Sequence, residues 1–457
     1  MSNIIWFRND LRLEHNLALS EAMLSSDSLE AVYIFPEKNQ FFVGEAAQWY
    51  LHQSLMHLEG RLLKLGITLN VFIGNAADIF SKYIEKNGKK TTIFCNKSFN
   101  PIQLKIDQDV TATLKQTNNL RYVGMDTVFD PNVIKTKANG FYKIFTPFSN
   151  TFSSLIFKKK FNFRSLNKTK KFTPVEKFTE ISDLKLITNK SWSKKFTNFW
   201  EPGELNSINL MNEFLYKNID QYSNNRDNIL EQYTSKLSVS INFGEISIEY
   251  LFSEIIKSFN DATYECDTSR HDFYRQLIWR EFAKYSMFYN QDSHLKSIYD
   301  YCDSEILWSG DDILFELWKR SKTGINIVDA SMKQLWNEGW MPNRARMVSA
   351  SFLTKNLGIH WNKGFKWFWN TLVDADLASN AMGWQWVSGT APYSAQFSRI
   401  FNPHLQEKKF DPQNIYINKY LNRTNTIKPI VSVSSSSKEA KIRYRRIKLL
   451  QENQLRR

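Results

Sequence analysis

An α/β plus all-α fold is expected for this chain, with an N-terminal doubly wound domain built on a parallel sheet and a C-terminal all-helical domain. In the first third, short apolar runs alternate with amphipathic stretches, which is typical of βαβ units. From Asn206 onward, apolar residues recur with the 3.6-residue period of helices. The chain has 457 residues, which exceeds the size at which one hydrophobic core usually stops growing, so two domains are expected.

The N-terminal domain is expected over residues 1–130. Apolar runs at 3–7, 29–35, 68–73, 91–95 and 121–123 predict buried strands, and amphipathic stretches at 46–65, 77–86 and 102–115 predict helices between them. Strands that alternate with helices favour a parallel sheet with both faces covered. The domain has no GxGxxG motif and no P-loop, so we expect the main cofactor to be held elsewhere.

A long connector is expected over residues 131–205, because this stretch lacks periodicity and is rich in Lys, Phe, Ser, Thr and Asn. Its lysine clusters at 158–160 and 168–171 suit either DNA contacts or a solvated linker, and the linker is favoured. Residues 206–430 form the predicted helical domain. Residues 431–457 combine a Ser-rich joint with a basic helix or frayed tail.

Charge and cysteine content narrow the class of protein. Lys and Arg total 60 against 46 Asp and Glu, and the net charge of +14 favours a polyanionic partner, although a generally basic proteome would give the same balance. Cys95, Cys266 and Cys302 are isolated and too few for a four-cysteine metal site, which indicates a reduced, intracellular setting. Neither a signal peptide nor a membrane-length apolar run is found, so we expect a cytoplasmic protein with no membrane partner.

The segment over residues 340–386 is the most informative part of the chain. Its guanidinium groups at Arg344 and Arg346 are suited to pair with the carboxylates of Asp374 and Asp376. No histidine or third carboxylate clusters with these aspartates in the sequence, so no metal site is expected. The segment also carries flat, easily oxidised indoles at Trp340, Trp361, Trp384 and Trp386. This mixture of residue types suits redox chemistry on nucleic acid.

Two further clusters are candidates for ligand binding. Hydroxyl groups at Thr234, Ser235 and Ser238 precede a helical pattern, where they would bind an anion or simply cap the helix. An amide, an indole and a guanidinium lie close together on another predicted helix, at Gln276, Trp279 and Arg280. They would line one end of a cavity, although an isolated tryptophan on an apolar stripe suits core packing equally well.

A resemblance to the photolyase/cryptochrome family is carried by WFRNDLR, WMPNRARM, LVDADLASNAMGWQW and FSRIFNP. Within the family, the chain resembles the class I-like branch that repairs cyclobutane pyrimidine dimers (CPDs) in DNA. The resemblance runs from Trp6 to Phe401 and slightly beyond. It implies that the helical domain binds FAD and that the partner is DNA containing pyrimidine dimers. We also expect the protein to be a monomer.

The resemblance also implies roles for individual residues. The FAD site would comprise Tyr222, Arg226, Thr234, Ser235, Lys236, Leu237, Ser238, Phe273, Gln276, Arg280, Trp340, Asn343, Arg346, Asp374, Ala375, Asp376 and Asn380. The lesion would contact Gln276, Trp279, Asn343, Arg344, Met347, Trp386 and Arg399. The row of tryptophans that carries electrons to the flavin would be Trp308, Trp361 and Trp384, with Asn380 and Gln276 as further catalytic candidates.

Several positions bear on the choice between repair and signalling. In the resemblance Asn380 faces flavin N5, where a neutral amide is typical of photolyases. Asn343 and Met347 stand where the branch that repairs (6-4) photoproducts has histidines, which argues against that substrate. Gln276 replaces a common glutamate, and Lys236 a common arginine; glutamine still hydrogen-bonds a thymine edge but brings no negative charge. The alternative function is that of a cryptochrome-like photoreceptor that binds FAD without repair.

A second, antenna chromophore accompanies FAD in many members of the family. The resemblance suggests a folate or a deazaflavin bound against the α/β domain. Asn100 stands where folate-binding relatives often carry glutamate, so both the identity and the presence of an antenna are left open.

Overall fold

The computed structural model describes residues 2–37, 41–87, 91–114, 120–164, 166, 169–187, 191–230, 234–259, 268–304, 307–394, 399–421 and 427–455. Parallel strands form one sheet in the order β3-β2-β1-β4-β5. The strands are β1 (Ser2–Phe7), β2 (Ser28–Phe35), β3 (Thr68–Ile73), β4 (Thr92–Lys97) and β5 (Leu120–Met125). The helices of this part are α1 (Leu17–Leu24), α2 (Glu45–Leu63), α3 (Ala76–Asn87) and α4 (Pro101–Leu114). The predicted doubly wound sheet is confirmed.

The central strands are buried on both faces because apolar residues run continuously along them. In β1, Ile4 and Ile5 point to opposite faces, and both are fully buried. Helix α1 was not predicted. Its sequence is apolar nearly all round, so it has no amphipathic period, but Asn16 marks its start by accepting a hydrogen bond from the Leu19 amide at 3.1 Å.

The C-terminal half is helical, as predicted. Its helices are α6 (Glu204–Glu213), α7 (Tyr222–Asn225), α8 (Ser238–Asn242), α9 (Ile248–Phe259), α10 (Thr268–Tyr289), α11 (Asp312–Lys319), α12 (Asn326–Glu338), α13 (Asn343–Ser351), α14 (Trp361–Thr371), α15 (Leu377–Ser388), α16 (Pro403–Phe410), α17 (Ile415–Tyr420) and α18 (Val433–Leu455). Two π-helical turns, Phe214–Asn218 and Phe352–Asn356, follow α6 and α13.

The predicted connector contains a helix that the sequence analysis missed, α5 (Phe145–Ile156). It buries Phe145, Phe148, Phe152 and Ile156, which recur at helical spacing and pack into the core of the helical half. This part of the connector is therefore built into the core. Lys168, from one of the lysine clusters, lies outside the described residues.

The basic C-terminal segment is helical as α18, and it packs on the body of the protein. Its buried positions Val433, Ser436, Ala440 and Ile447 follow one helical face. Ile447 and Tyr444 belong to a small cluster that includes Trp308 and Cys302. The described helices include none that is long and apolar enough to cross a membrane.

Buried carboxylates join the two halves of the molecule. Glu204 at the start of α6 accepts hydrogen bonds from the Leu13 and Glu14 amides at 2.7 and 2.8 Å. Glu245 is 1% exposed and accepts from the Tyr50 hydroxyl at 2.9 Å and the Gly203 amide at 2.7 Å. The α/β sheet and the helical half therefore share buried polar contacts as well as apolar ones.

Candidate functional site

A cavity of about 200 Å³ opens between α13, α14 and α15. The predicted residues on its wall are Asn343, Arg346, Met347, Asp374, Ala375, Asp376, Asn380 and Trp384. They come from two segments separated by α14, and the fold brings them together because α13 and α15 pack against each other. Positions assigned to the flavin and positions assigned to the lesion thus share one cavity.

Arg346 and Asp374 form an ion pair on the cavity wall. Arg346 Nη2 lies 2.8 Å from Asp374 Oδ2, and Ser238 Oγ donates to the same oxygen at 2.7 Å. The other carboxylate oxygen, Oδ1, is buried with no hydrogen-bond partner among the described residues. A buried acceptor without a donor is costly, so this oxygen is suited to a ligand N–H group.

Asp376 begins α15 and pairs with a cation from α10. Its Oδ1 accepts from the Ser379 amide at 2.7 Å, which caps the helix, and its Oδ2 lies 3.2 Å from Arg280 Nη2. Burial opposes ionisation of Asp376, but the charges of Arg280 and Lys284 outweigh it and hold the pKa of the carboxyl below its usual value. Asp376 is therefore a fixed anion on the cavity wall.

Asn380 lies one helical turn after Asp376 on the cavity wall. Its Nδ2 donates to the Phe365 carbonyl at 3.1 Å, which fixes the amide plane. Trp340 lies beside Arg346 and Lys236, with the Arg346 guanidinium 5.8 Å and the Lys236 ammonium 5.1 Å from its ring centroid. Lys236 adopts a left-handed backbone with φ of 50°.

The hydroxyl segment before α8 lies on the far side of Asp374. Ser238 reaches Asp374 directly, while Ser235 Oγ accepts from the Leu237 amide at 3.3 Å. Of the described residues, Thr234, Ser235, Lys236 and Leu237 do not line the 200 Å³ cavity; Lys236 lines a neighbouring one of about 250 Å³. The predicted anion-binding segment therefore adjoins the cavity wall through Ser238.

Tyr222, Arg226, Phe273 and Gln276 form a separate cluster between α7 and α10. With the Gln276 amide oriented so that its oxygen faces Arg226, both Nη atoms of Arg226 donate to that oxygen, at 3.0 and 3.1 Å. The rings of Tyr222 and Phe273 pack edge to face at 5.5 Å. Gln276 thus presents its amide N–H groups, rather than its oxygen, to any further partner.

Most of the remaining residues assigned to the lesion already contact other side chains of the protein. Asn343 Nδ2 lies 3.5 Å from Met347 Sδ, and Arg344 forms an ion pair with Asp227. Trp279 stacks on Phe145 at 3.7 Å with parallel rings. Arg399 is exposed, and its guanidinium lies 5.8 Å from the Trp386 ring.

The three tryptophans of the proposed row run from the cavity toward the surface. Trp384 lines the cavity and is 2% exposed, Trp361 is fully buried, and Trp308 is partly exposed. Trp384 packs over Gly364, one turn after Trp361, where a Cβ would lie only 2.1 Å from its ring. The His360 ring contacts both Trp361 and Trp308, with centroids 5.7 and 4.8 Å apart.

The sequence analysis missed several cavity residues: Ala350, Phe368, Leu372, Ser379, Gly383 and Val387. Most are apolar core types that carry no chemical signal. Ser379 could have been found, because it stands three residues after Asp376 in the spacing of a helix cap. Gly383 faces open space, so its missing side chain leaves room inside the cavity.

The residues present fit a flavin. The unpartnered Asp374 Oδ1, the Arg346 guanidinium and the Asn380 amide offer an acceptor and donors to the polar edge of such a ring, beside the apolar side chains of Phe368 and Leu372. Throughout the described ranges, no group of three or more His, Cys, Asp or Glu side chains is arranged to hold a metal ion. Cys95 and Cys302 are free and buried, and Cys266 lies outside the described residues.

Asn100, the position that bears on an antenna, caps α4. Its Oδ1 accepts from the Ile102 amide at 2.9 Å, just as a helix-capping residue does. A cavity of about 100 Å³ at the carboxyl ends of β1 to β3 is lined by Trp6, Arg8 and Gln103, among others.

Comparison with known families gives two matches that together cover most of the chain. Residues 3–165 match the family model described as DNA photolyase, and residues 273–447 match the FAD binding domain of DNA photolyase. The deoxyribodipyrimidine photo-lyase of Agrobacterium fabrum is 36% identical over 422 residues, which is 92% of this chain and 86% of that protein. Cryptochrome-2 of Arabidopsis thaliana is 32% identical over 435 residues, 92% of this chain and 70% of that protein.

Solved structures agree with these sequence matches. A bacterial class III photolyase from Agrobacterium tumefaciens superposes with a TM-score of 0.88 at 32% identity and covers 98% of both chains. An archaeal photolyase from Sulfolobus tokodaii, solved with two FAD molecules, gives a TM-score of 0.80 at 26% identity over 98% of this chain and 100% of that one.

Proposed function

The chain belongs to the photolyase/cryptochrome family, and we propose that it repairs cyclobutane pyrimidine dimers in DNA when illuminated. Both photolyases and a cryptochrome are among its relatives, so membership alone does not distinguish repair from signalling. Bound FAD, reduced and excited by light, would supply the electron that splits the dimer and would receive it back afterwards.

One observation carries the proposal: residues for the flavin and residues for the lesion line the same cavity. Arg346 and Asp374 would hold the polar edge of the flavin, while Asn343 and Met347, on α13 beside Arg346, would contact the lesion. An electron passes efficiently only between groups held close together. Because this wall presents both sets of side chains within one helical turn, it can hold a donor and an acceptor in contact.

The side chains around the cavity support repair in three ways. Asn380 is a neutral amide with its Nδ2 committed to the Phe365 carbonyl, so no acidic proton lies on this part of the wall. Asp376 remains ionised through Arg280 and is unsuited to donate a proton. Exposed Arg399, whose guanidinium lies 5.8 Å from the Trp386 ring, would offer a cation beside a stacking surface to a nucleotide extruded from the duplex.

The experiment is a repair assay with DNA that carries CPDs. Chemically reduced, FAD-loaded protein is mixed with the damaged duplex, and loss of the lesion is followed in light and in darkness. We expect loss only in light, and no loss of (6-4) photoproducts in a parallel duplex. Tight FAD binding with unchanged CPDs in light would contradict the proposal.

The alternative, a cryptochrome-like photoreceptor, is favoured by Gln276. Its oxygen is occupied by Arg226, and it has no carboxylate to offer to a lesion. Gln276→Glu separates the alternatives. If the protein is a photolyase whose repair rate is limited by Gln276, this variant should repair CPDs faster than the parent. If the protein is a photoreceptor, neither the parent nor the variant should repair them.

For an antenna, we propose the cavity at the carboxyl ends of β1 to β3, because ligands of doubly wound sheets bind at that edge. Trp6 would provide an aromatic surface for a flat chromophore. Absorption spectra of the purified protein, recorded before and after FAD is extracted, would detect a second chromophore; a featureless visible spectrum after extraction would contradict this proposal.

A further inference from the structure

The indole N–H groups of the three tryptophans in the row differ in their hydrogen-bond acceptors. Trp308 Nε1 donates to the Cys302 carbonyl at 2.7 Å, and Trp384 Nε1 is buried with no partner among the described residues. Trp361 Nε1 instead donates to the Ser297 hydroxyl at 2.8 Å. A hydroxyl can accept one proton while it gives up its own, which a backbone carbonyl cannot do.

The hydrogen bonds continue from Ser297 to a carboxylate. Ser297 donates to Asp303 twice, from its hydroxyl to Oδ1 and from its backbone amide to Oδ2 at 2.7 Å. His360 Nε2 lies 3.0 Å from the same Oδ1. Since His360 Nδ1 accepts from the Asn362 amide at 3.2 Å, the ring hydrogen of a neutral imidazole lies on Nε2 and is donated to Asp303.

This chain of groups leads from the core to water. Trp361 is 0% exposed and Ser297 2%, whereas the Asp303 side chain is 26% exposed and that of His360 24%. Burial opposes ionisation of Asp303, but hydrogen bonds from His360 and Ser297 outweigh it and hold its pKa below the usual value. Because its pKa is lowered, an Asp303 carboxyl that receives a proton readily releases that proton to solvent.

We propose that Ser297 and Asp303 form a relay that removes the indole proton of Trp361 when this tryptophan loses an electron. The inference rests on the proposed function, because the electron acceptor is a photoexcited, oxidised flavin reached through Trp384. The Nε1 proton moves to Ser297 Oγ as the Ser297 hydroxyl proton moves to Asp303 Oδ1. The products are a neutral Trp361 radical, an unchanged serine and a protonated Asp303, which releases its proton to water.

The relay has a consequence for the lifetime of the separated charge. An indole that has lost both an electron and a proton cannot take the electron back until a proton returns. The relay therefore slows charge recombination at Trp361. Ser297 and Asp303 act through Trp361 and are positioning residues, not groups that touch substrate or flavin.

The test follows the tryptophan radical by transient absorption after a light flash on FAD-loaded protein, because the protonated and neutral radicals have different spectra. In the parent we expect fast conversion from the protonated to the neutral form, slowed in D2O because protons move. Ser297→Ala and Asp303→Asn should each slow the conversion by roughly 100-fold, the lower end of what a positioned proton acceptor contributes. Asp303→Glu, which keeps the carboxylate, should recover part of the rate.

Asp312→Asn is the matched control. Asp312 pairs with Lys363 on the outer face of α14, so this variant removes a carboxylate near the same helix without touching Ser297 or Asp303. It should convert at the parental rate. Circular dichroism and FAD content of each variant show whether it folds, and a poorly folded Ser297→Ala leaves Asp303→Asn and Asp303→Glu as the deciding pair.

Several results would overturn the relay. The relay would be contradicted if Asp303→Asn converted the protonated radical to the neutral one at the parental rate. A change in the amount of radical with no change in this rate would also contradict it, because the carboxylate would then act by its charge alone. Absence of any tryptophan radical would overturn both the relay and the row. The repair assay uses chemically reduced protein and does not need the row, so failure of lesion repair is detected separately.

Discussion

At the scale of single residues, the sequence predicted which side chains are suited to form ion pairs, but it predicted the partner in only some cases. Arg346 and Asp374 pair as the sequence indicates, because both belong to one segment whose helices pack together. Arg344 pairs with Asp227 instead, 117 residues earlier in the chain. No local pattern points to such a contact, since it depends on how the turn after α7 lies against α13 in three dimensions.

The pairing of Arg344 changes what is expected of it in DNA binding. Arg399→Ala should lower the log–log salt dependence of DNA binding by about one unit, since an exposed arginine that contacts a phosphate displaces about one counterion. Arg344→Ala should lower it by less, because Asp227 already neutralises that charge. Asp227→Asn is the control and should strengthen binding. Fluorescence anisotropy across a salt series measures all three, and equal slopes for Arg399→Ala and the parent would place Arg399 away from the phosphates.

Trp384 is the member of the row that lines the cavity, so its removal has the largest expected effect. Trp384→Phe should lose most of the photoreduction of oxidised FAD, because benzene rings are much harder to oxidise than indole. Repair by chemically reduced protein should persist. Trp49→Phe serves as control, since Trp49 is equally buried but lies on α2 in the α/β half. Normal photoreduction in Trp384→Phe would remove Trp384 from the row.

At the scale of helices and strands, periodicity predicts elements whose two faces differ and misses those whose faces do not. The amphipathic helices α2, α3 and α4 were predicted close to their observed positions, whereas α1, which is apolar nearly all round, was not. Helix α5 was missed because polar Ser, Thr and Asn residues surround its buried phenylalanines. The π-helical turn at Phe352–Asn356 has no sequence signal at all; it accommodates Lys355, which is fully buried and donates to the Ser388 carbonyl at 2.7 Å.

The start of α15 offers a test of one carboxylate with two roles. Asp376→Asn keeps a side chain that caps helices as well as aspartate does but removes the ion pair with Arg280, and it should cost about 3 kcal/mol. Asp376→Ala loses the cap as well and should cost about 1 kcal/mol more. Urea denaturation measures both values. Equal stability of the two variants would show that the cap contributes nothing.

The same pair predicts a pH dependence with a definite sign. The pKa of Asp376 is lowered by folding, so its contribution to stability is present above the ordinary carboxyl pKa and is lost as the pH falls through the lowered value. The difference in unfolding free energy between the parent and Asp376→Asn should therefore be largest near neutral pH and shrink under acid conditions. A difference that is constant with pH would mean that Asp376 is not charged in the folded protein.

At the scale of the whole molecule, the sequence predicted a parallel-sheet half and a helical half, but it did not predict the contacts between them. Composition and periodicity separate a parallel-sheet half from a helical half. They do not identify Glu204 and Glu245 as buried, because glutamates in a polar stretch normally indicate surface. Their partners lie up to 195 residues away in the chain, so only the folded structure reveals that these carboxylates receive hydrogen bonds from the other half.

Glu245 therefore tests whether the two halves unfold together. One of its oxygens accepts from the Gly203 amide, which can only donate, and the other lies near the hydroxyls of Tyr50 and Ser207, which can also accept. Glu245→Gln can place its carbonyl toward Gly203 and its N–H groups toward the hydroxyls, so it should cost little. Glu245→Ala leaves the buried amide unpaired and should cost roughly 1–3 kcal/mol more than the glutamine variant. In calorimetry we expect a single unfolding transition at a lower temperature for Glu245→Ala, because the loss of these buried hydrogen bonds destabilises both halves together. Two separate transitions in the parent protein would show that the halves unfold independently and that Glu245 does not couple them.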